Sequence, residues 1–140
     1  MSRSTSLFAL LLLAPLSISA CGSDDPTTPI EPTPVEIVEP VISGTLTPNG
    51  AQTHPFSVQR AGQVVARISA LAPDETLKIG LSLGTWNGVS CQLIITNDSA
   101  TLNSSVVGTA QQTGQFCARV YDAAGTVRAA TDYSIEVRHF

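Results

Sequence analysis

Charge is scarce in this 140-residue chain, where Asp, Glu, Lys and Arg together make up 13%, about half the usual fraction of a globular protein. Aromatic residues are scarcer still at 5%, with a single Trp, so a broad charged surface and an aromatic-lined groove are both excluded. What charge exists is unevenly placed. Residues 1–20 hold one Arg, residues 21–40 hold five acids and no base, and residues 41–140 hold six of each sign. The C-terminal hundred residues are therefore neutral. A nucleic-acid binder needs a basic face to neutralise phosphates, and none is supplied. Long apolar runs are also missing. The longest, Leu7 to Ile18, has twelve residues and makes about 18 Å of helix against a hydrocarbon core of about 30 Å. Pro15 interrupts it, so it is too short for a permanent membrane span.

That run does fit an export signal over residues 1–20, with Arg3 before it and Ser19-Ala20 after it. Ile18-Ser19-Ala20-Cys21 resembles the lipobox of bacterial lipoproteins. The resemblance implies a lipidated Cys21 as the first mature residue and a membrane partner reached through its acyl chains, two or more of which hold stably. Gly22 rather than Asp after the Cys favours the outer membrane or cell surface. An ordinary signal peptide with an incidental Cys is the alternative. From Gly22 to Pro40 five prolines and five acids, with no periodic apolar pattern before Val35, describe an extended tether. Residues 21–40 are thus read as anchor and linker, and 41–140 as one domain.

Within 41–140 the apolar period is two. Leu77, Ile79, Leu81 and Leu83 alternate with polar or small residues, as do Val64, Ala66, Ile68 and Ala70, and Tyr133, Ile135 and Val137. Further strands are expected over 41–47, 53–59, 91–96, 105–109 and 115–121. Turns are marked by Pro48-Asn49-Gly50, Ala61-Gly62, Asn87-Gly88 and Ala123-Ala124-Gly125. About eight short strands without an amphipathic helix predict an all-β, antiparallel β-sandwich.

Once Cys21 is assigned to lipid, Cys91 and Cys117 remain as an even pair in an oxidising compartment, which predicts a disulfide. Zinc would need two more ligands, and His54 and His139 lie far away in sequence. The phase is awkward. Cys91 alternates with Leu93 and Ile95, whereas Cys117 alternates with Arg119 and Tyr121, opposite to Phe116, Ala118 and Val120. Either a bulge changes the phase or the bond sits at a strand end.

The stretch Gly114-Gln-Phe-Cys-Ala-Arg-Val-Tyr-Asp122, a Gly-containing turn, and Asp132-Tyr-Ser-Ile-Glu-Val137 resemble the ending of bacterial pre-peptidase C-terminal (PPC) domains. Ser43-Gly44-Thr45-Leu46 and Phe56-Ser57-Val58 are similar to that family's opening strands. The resemblance implies a jelly-roll-like sandwich, often placed beside secreted peptidases, that binds calcium, carbohydrate or matrix protein in some members. The two cysteines and the Trp86-Asn87-Gly88 loop depart from the general pattern, and no catalytic residue carries over.

Catalysis has little to rest on. No serine sits in a G-x-S-x-G setting, and His54, before Pro55, and His139, beside the C-terminus, are read as solvated. No cofactor is expected. Asp98, with Asp122 or Asp132, is a weak calcium candidate, since Asx residues also simply make turns. Trp86 and Asn87, in a loop before Cys91, are the candidate ligand contacts, provided that the ring is exposed rather than packed on Leu83. Asn97-Asp98-Ser99 is read as a second loop. The expected function is an envelope-anchored, non-catalytic binding or structural module contacting protein, glycan or matrix. The alternative is a small hydrolase or an accessory domain of a secreted peptidase system.

Overall fold

A computed structural model describes residues 33–140. The signal peptide, Cys21 and the tether up to Pro32 lie outside the described residues. Nine strands follow in order: β1 Ile37–Val38, β2 Ile42–Leu46, β3 Ala51–Val58, β4 Gly62–Ala72, β5 Ile79–Trp86, β6 Cys91–Ala100, β7 Ser105–Ala110, β8 Gly114–Tyr121 and β9 Thr131–His139. They form two antiparallel sheets. Sheet A runs β1-β9-β4-β7, with β2 also paired to β9, and sheet B runs β3-β8-β5-β6. Apart from β1, every connection but the β5–β6 hairpin passes between sheets, which is the wrapping of a jelly roll.

The alternation seen in sequence is the alternation of burial. Leu81 and Leu83 of β5 and Ala118 and Val120 of β8 face Ile68 of β4 and Ile135 of β9 across the sandwich, and none of the six is more than 4% exposed. Leu81 stands opposite Val120 and Leu83 opposite Ala118, so one register serves both strands. A slip by one residue would exchange these for Arg119 and Tyr121, and that penalty holds the pairing in place.

Three expectations need correction here. Residues 37–39, expected in the tether, belong to the sheet: Ile37 and Val38 pair with His139 and Arg138, and the Glu39 N–H donates to the Val137 carbonyl at 2.9 Å. Two residues between prolines are too short a run to show periodicity. His139, expected in solvent, is buried at 1% exposure, stacked on Phe56 and joined through Nε2 to Glu39 Oε1 at 2.9 Å. It is the next inward residue of β9 after Tyr133, Ile135 and Val137. Asn97-Asp98-Ser99 belongs to β6 rather than to a loop. An edge strand wetted on both sides carries polar residues that read as a turn.

Asp122 ties two loops at one end of the sandwich. Its Oδ2 accepts the Asn49 N–H at 2.9 Å and its Oδ1 accepts the Thr126 N–H at 2.8 Å, while its own N–H donates to the Gly50 carbonyl at 3.0 Å. Burial alone would raise this carboxyl, but the backbone amides of Asn49, Val127, Thr126 and Gly125 outweigh it and hold it below the usual carboxylate range. A group whose folded pKa is lowered stabilises above its unfolded value and loses that contribution as pH falls toward the folded one. Asp122→Ala is expected to cost roughly 1–2 kcal/mol at pH 7, read from urea unfolding. The deficit relative to wild type should shrink below about pH 4.

Candidate functional site

The disulfide predicted from the cysteine count joins Cys91 to Cys117, with 5.9 Å between the Cα atoms. This is close for residues on β6 and β8, because β5 lies between them and two strand spacings are about 9.6 Å. Two features close the gap. The register moves from Leu83 opposite Ile95 to Gly84 opposite Leu93, which leaves Ile94 as an extra residue that bends β6. Gly84 then offers no Cβ where one would run into the Gln92 carbonyl. The start of β6 leans over the outer face of β5, and Cys91 reaches across it. The awkward phase is thus resolved by a bulge.

This bond organises the outer face of sheet B. Alternation places Gly80, Ser82, Gly84 and Trp86 on that face from β5, with Cys117, Arg119 and Tyr121 from β8. Tyr121 is held from below and at its tip. Its ring covers Gly80, where a Cβ would collide with it, and its hydroxyl donates to Asp98 Oδ1. Desolvation, followed by the Asp98 hydrogen bond and charge, pushes the Tyr121 phenol up to about 12, so it stays a donor at any physiological pH. The Arg119 guanidinium carbon lies 5.7 Å from the centre of that ring. Thr53, Arg119, Ser82 and Thr96 stand side by side across the four strands. The Arg119 Nε is buried, and no partner for it exists among the described residues.

The predicted site residues divide between this face and structural tasks. Trp86 is the last residue of β5 rather than part of a loop, half-buried on the outer face and paired with Cys91. Asn87 makes the turn. Its Oδ1 accepts the N–H groups of Val89 at 2.9 Å and Ser90 at 2.8 Å, and Gly88 takes the positive φ of 93° that the hairpin requires. The weak calcium candidates do not converge. Asp98 holds Tyr121, Asp122 holds the loops, and Asp132 accepts the Thr45 hydroxyl at 2.7 Å. No cluster of three His, Cys, Asp or Glu side chains exists among the described residues. Sequence reasoning missed Arg119 and Tyr121 as site residues. The signal was present, since both fall in phase with Cys117, which marks the outward side of β8.

Three hollows lie elsewhere among the described residues. A cavity of about 30 Å³ between β6 and β7, lined by Val64, Leu83, Ile95 and Phe116 among others, is too small for a sugar or a side chain. On the outer face of sheet A a depression of about 420 Å³ carries Ser43, Thr45, Asp132 and Ser134, which bond to one another in pairs. A second, of about 320 Å³, holds Glu136 between Arg67 and Arg138. Arg119 and Arg67 are the half-buried arginines of the domain, and of these only Arg119 lacks a carboxylate among the described residues.

No family model matches the chain, and no curated protein sequence does. Among solved structures, the chain is similar to the Yersinia pseudotuberculosis-derived mitogen, with a TM-score of 0.57 and 13% identity over 76% of this chain and 88% of that one. This likeness shows the fold. A second similar structure, Aeromonas hydrophila PliG, a periplasmic lysozyme inhibitor of g-type lysozyme, has a TM-score of 0.44 and 14% identity over 71% of this chain and 82% of that one. The antiparallel β-sandwich expected from the strand pattern is the fold of the domain.

Two outcomes follow from this geometry. In Gly84→Ala the new Cβ would push β6 off β5, so denatured, unreduced protein is expected to show free thiols at Cys91 and Cys117 where wild type shows none. Loss of the bridge should lower stability by roughly 3 kcal/mol. The second concerns His54, expected in solvent but half-buried, with its Nε2 2.7 Å from the Tyr133 hydroxyl. Burial lowers its pKa from the ordinary 6.5. The unfolded chain then binds the proton more readily, so stability is expected to fall as pH drops below about 6.5. His54→Gln should flatten the urea midpoint between pH 6.5 and 5.

Proposed function

We propose that this is an envelope-anchored lipoprotein whose sandwich is a non-catalytic binding module, and that its contact surface is the outer face of sheet B around Trp86, Arg119 and Tyr121. One observation carries the reading. The outer face of sheet A pairs its charges and hydroxyls internally, whereas the outer face of sheet B fixes a ring and a half-buried guanidinium and leaves the guanidinium without an acceptor among the described residues. Groups held rigid in advance lose little entropy on binding.

The disulfide belongs to an oxidising, extracytoplasmic compartment, and no helix among the described residues is long and apolar enough to cross a membrane. The lipobox-like Cys21 supplies the attachment in this reading, with the outer membrane or cell surface as its place. Membership of a divergent PPC-like branch belongs to the same proposal and rests on the strand motifs at 114–122 and 132–137. The hydrolase alternative is disfavoured by both histidines, since His54 is bonded to Tyr133 and His139 to Glu39. Neither is free to serve a nucleophile.

The test separates anchor from face. Cys21→Ser is expected to move the protein from the membrane fraction to the soluble one. That soluble form, immobilised, should retain an envelope component, and Trp86→Ala and Tyr121→Ala should each weaken retention about tenfold, the scale of an aromatic anchor. Retention indifferent to both substitutions would remove the face from consideration. Turnover abolished by a His54 or His139 substitution would replace the binding module with an enzyme.

A further inference from the structure

The geometry points to a lipid bilayer as the partner of one end of the sandwich, the end that carries the turn of the β5–β6 hairpin. Strand pairing puts that turn at the same end as the point where the chain joins the domain. Ile37 of β1 lies opposite His139 at the end of β9, and Arg138 lies opposite Val65 near the start of β4. A short turn links that start to the end of β3, where Val58 pairs with Gly114 at the start of β8. Phe116 of β8 then pairs with Thr85 at the end of β5. The hairpin turn and the incoming chain therefore face the same way. This orientation, though not the apolar character of the end, rests on the anchor proposed at Cys21. From Cys21 to Ile37 the chain reaches roughly 55 Å at full stretch, so an anchored domain meets the bilayer with this end first.

The end is apolar where it protrudes. Between Lys78 and Asp98 no residue is charged. Residues 87–90 and 92–94 are all exposed, and they include Val89 at 86%, Ile94 at 67% and Leu93 at 39%. The bulge that lets Cys91 reach Cys117 also leaves Ile94 outside the pairing, and the disulfide fixes the base of the hairpin to β8. Side chains presented by a fixed element lose little entropy when they are buried. Val35, Ile37 and Val38 are exposed where the chain joins the domain. Charge runs in the opposite sense. Of the strand connections at this end, residues 59–61, 87–90 and 111–113, only the first holds a charged residue, Arg60, whereas those at the other end hold Asp74, Glu75, Lys78, Asp122 and Arg128. An apolar tip with a Trp at its base and the charge at the far pole suits the membrane interface, where Trp rings sit at the headgroup level. A second copy would need more than three aliphatic side chains, since a stable interface buries roughly 800 Å² on each partner. A bilayer needs less, because the acyl anchor already holds the domain at high local concentration. With Arg60 set against Glu36 and the acids Asp24, Asp25 and Glu31, the attraction is apolar, and anionic lipid adds nothing to it.

Trp86 is the only Trp of the chain, so its fluorescence tests the assignment directly. The mature chain with its native Cys21, purified from membranes, is reconstituted on phosphatidylcholine vesicles. Its Trp86 emission is expected to lie at shorter wavelength than that of the Cys21→Ser chain in buffer, and to be quenched most by lipids brominated close to the headgroup. Val89→Asp combined with Ile94→Asp should abolish both effects while the chain still floats with the vesicles. The Cys21→Ser chain should partition weakly onto the same vesicles, and the aspartate pair should weaken that partition about tenfold or more. Phosphatidylserine added to the vesicles should not strengthen it. Both positions are exposed, and wild-type melting with a complete disulfide would show the double variant to be folded. Unshifted emission without quenching, quenching indifferent to the aspartate pair, or partition that needs anionic lipid would each overturn the assignment. A shift that grows with protein concentration in lipid-free buffer, with a dimer in sedimentation, would also overturn it and give the tip to a second copy. Failure of the anchor looks different: if the native chain does not float with vesicles, the Cys21 reading falls and the partition of the Cys21→Ser chain alone decides the tip. If the tip falls while envelope retention stays sensitive to Tyr121→Ala, the outer face of sheet B stands.

Discussion

Register is the constraint from which the rest of this structure follows. With only 5% aromatic residues, the space between the sheets is filled chiefly by Ile, Leu, Val and Ala, and no single large ring dictates where each strand must sit. The strands are held in phase by many modest contacts that alternate along them, and the alternation determines both faces at once. Because Ala118 and Val120 point inward, Cys117, Arg119 and Tyr121 must point outward. The disulfide, the stacked Tyr121 and the Arg119 Nε without a partner among the described residues are consequences of the same parity that builds the core.

Much of this was legible in the chain itself. The eight longer strands agree with the alternating runs to within a few residues, and the turns at Asn49-Gly50, Asn87-Gly88 and Gly125 fall where the sequence marks them, with Asn49 at a φ of 54°. Period-two burial leaves a direct trace in composition, and residues tolerant of positive φ leave another. What was hidden depends on contacts between distant segments. The burial of His139 continues the inward alternation of Tyr133, Ile135 and Val137, but its partners Phe56 and Glu39 lie far away in the chain. The cysteine phase calls for a bulge or a strand end, but the place of the bulge at Ile94 cannot be read from an edge strand whose residues are mixed on both sides. Trp86 reads as a loop residue because the turn signal of Asn87-Gly88 begins directly after it, although the strand continues to its position.

The electrostatics of the two outer faces differ in kind although the domain carries equal numbers of acids and bases. On sheet A, Arg138 holds Glu136 at 2.6 Å and Arg67 holds it at 3.5 Å. The Arg138 hydrogen bond lowers the Glu136 carboxyl despite partial burial, and the charges of Arg138 and Arg67 add to the effect. Exposed pairs of this kind contribute little to stability, but they leave a face with no unmet electrostatic demand. On sheet B the Arg119 Nε has no partner among the described residues, so the two faces of a neutral domain differ locally.

The two-residue strand β1 has a mechanical consequence. It lies antiparallel to the last residues of β9, so the segment arriving from the N-terminal side enters beside the C-terminal end of the domain. A load drawn through that segment is resisted first by two residue pairs and by the Glu39–His139 contact. Next in line come the five pairs that join β2 to β9. Residues 37–41 peel away as the weakest link and add about 17 Å of extended chain before the sandwich feels the pull. The short β1 segment therefore acts as a shock absorber that yields before the sandwich does, and the outer face of sheet B, on the opposite sheet, keeps its shape while that slack is taken up.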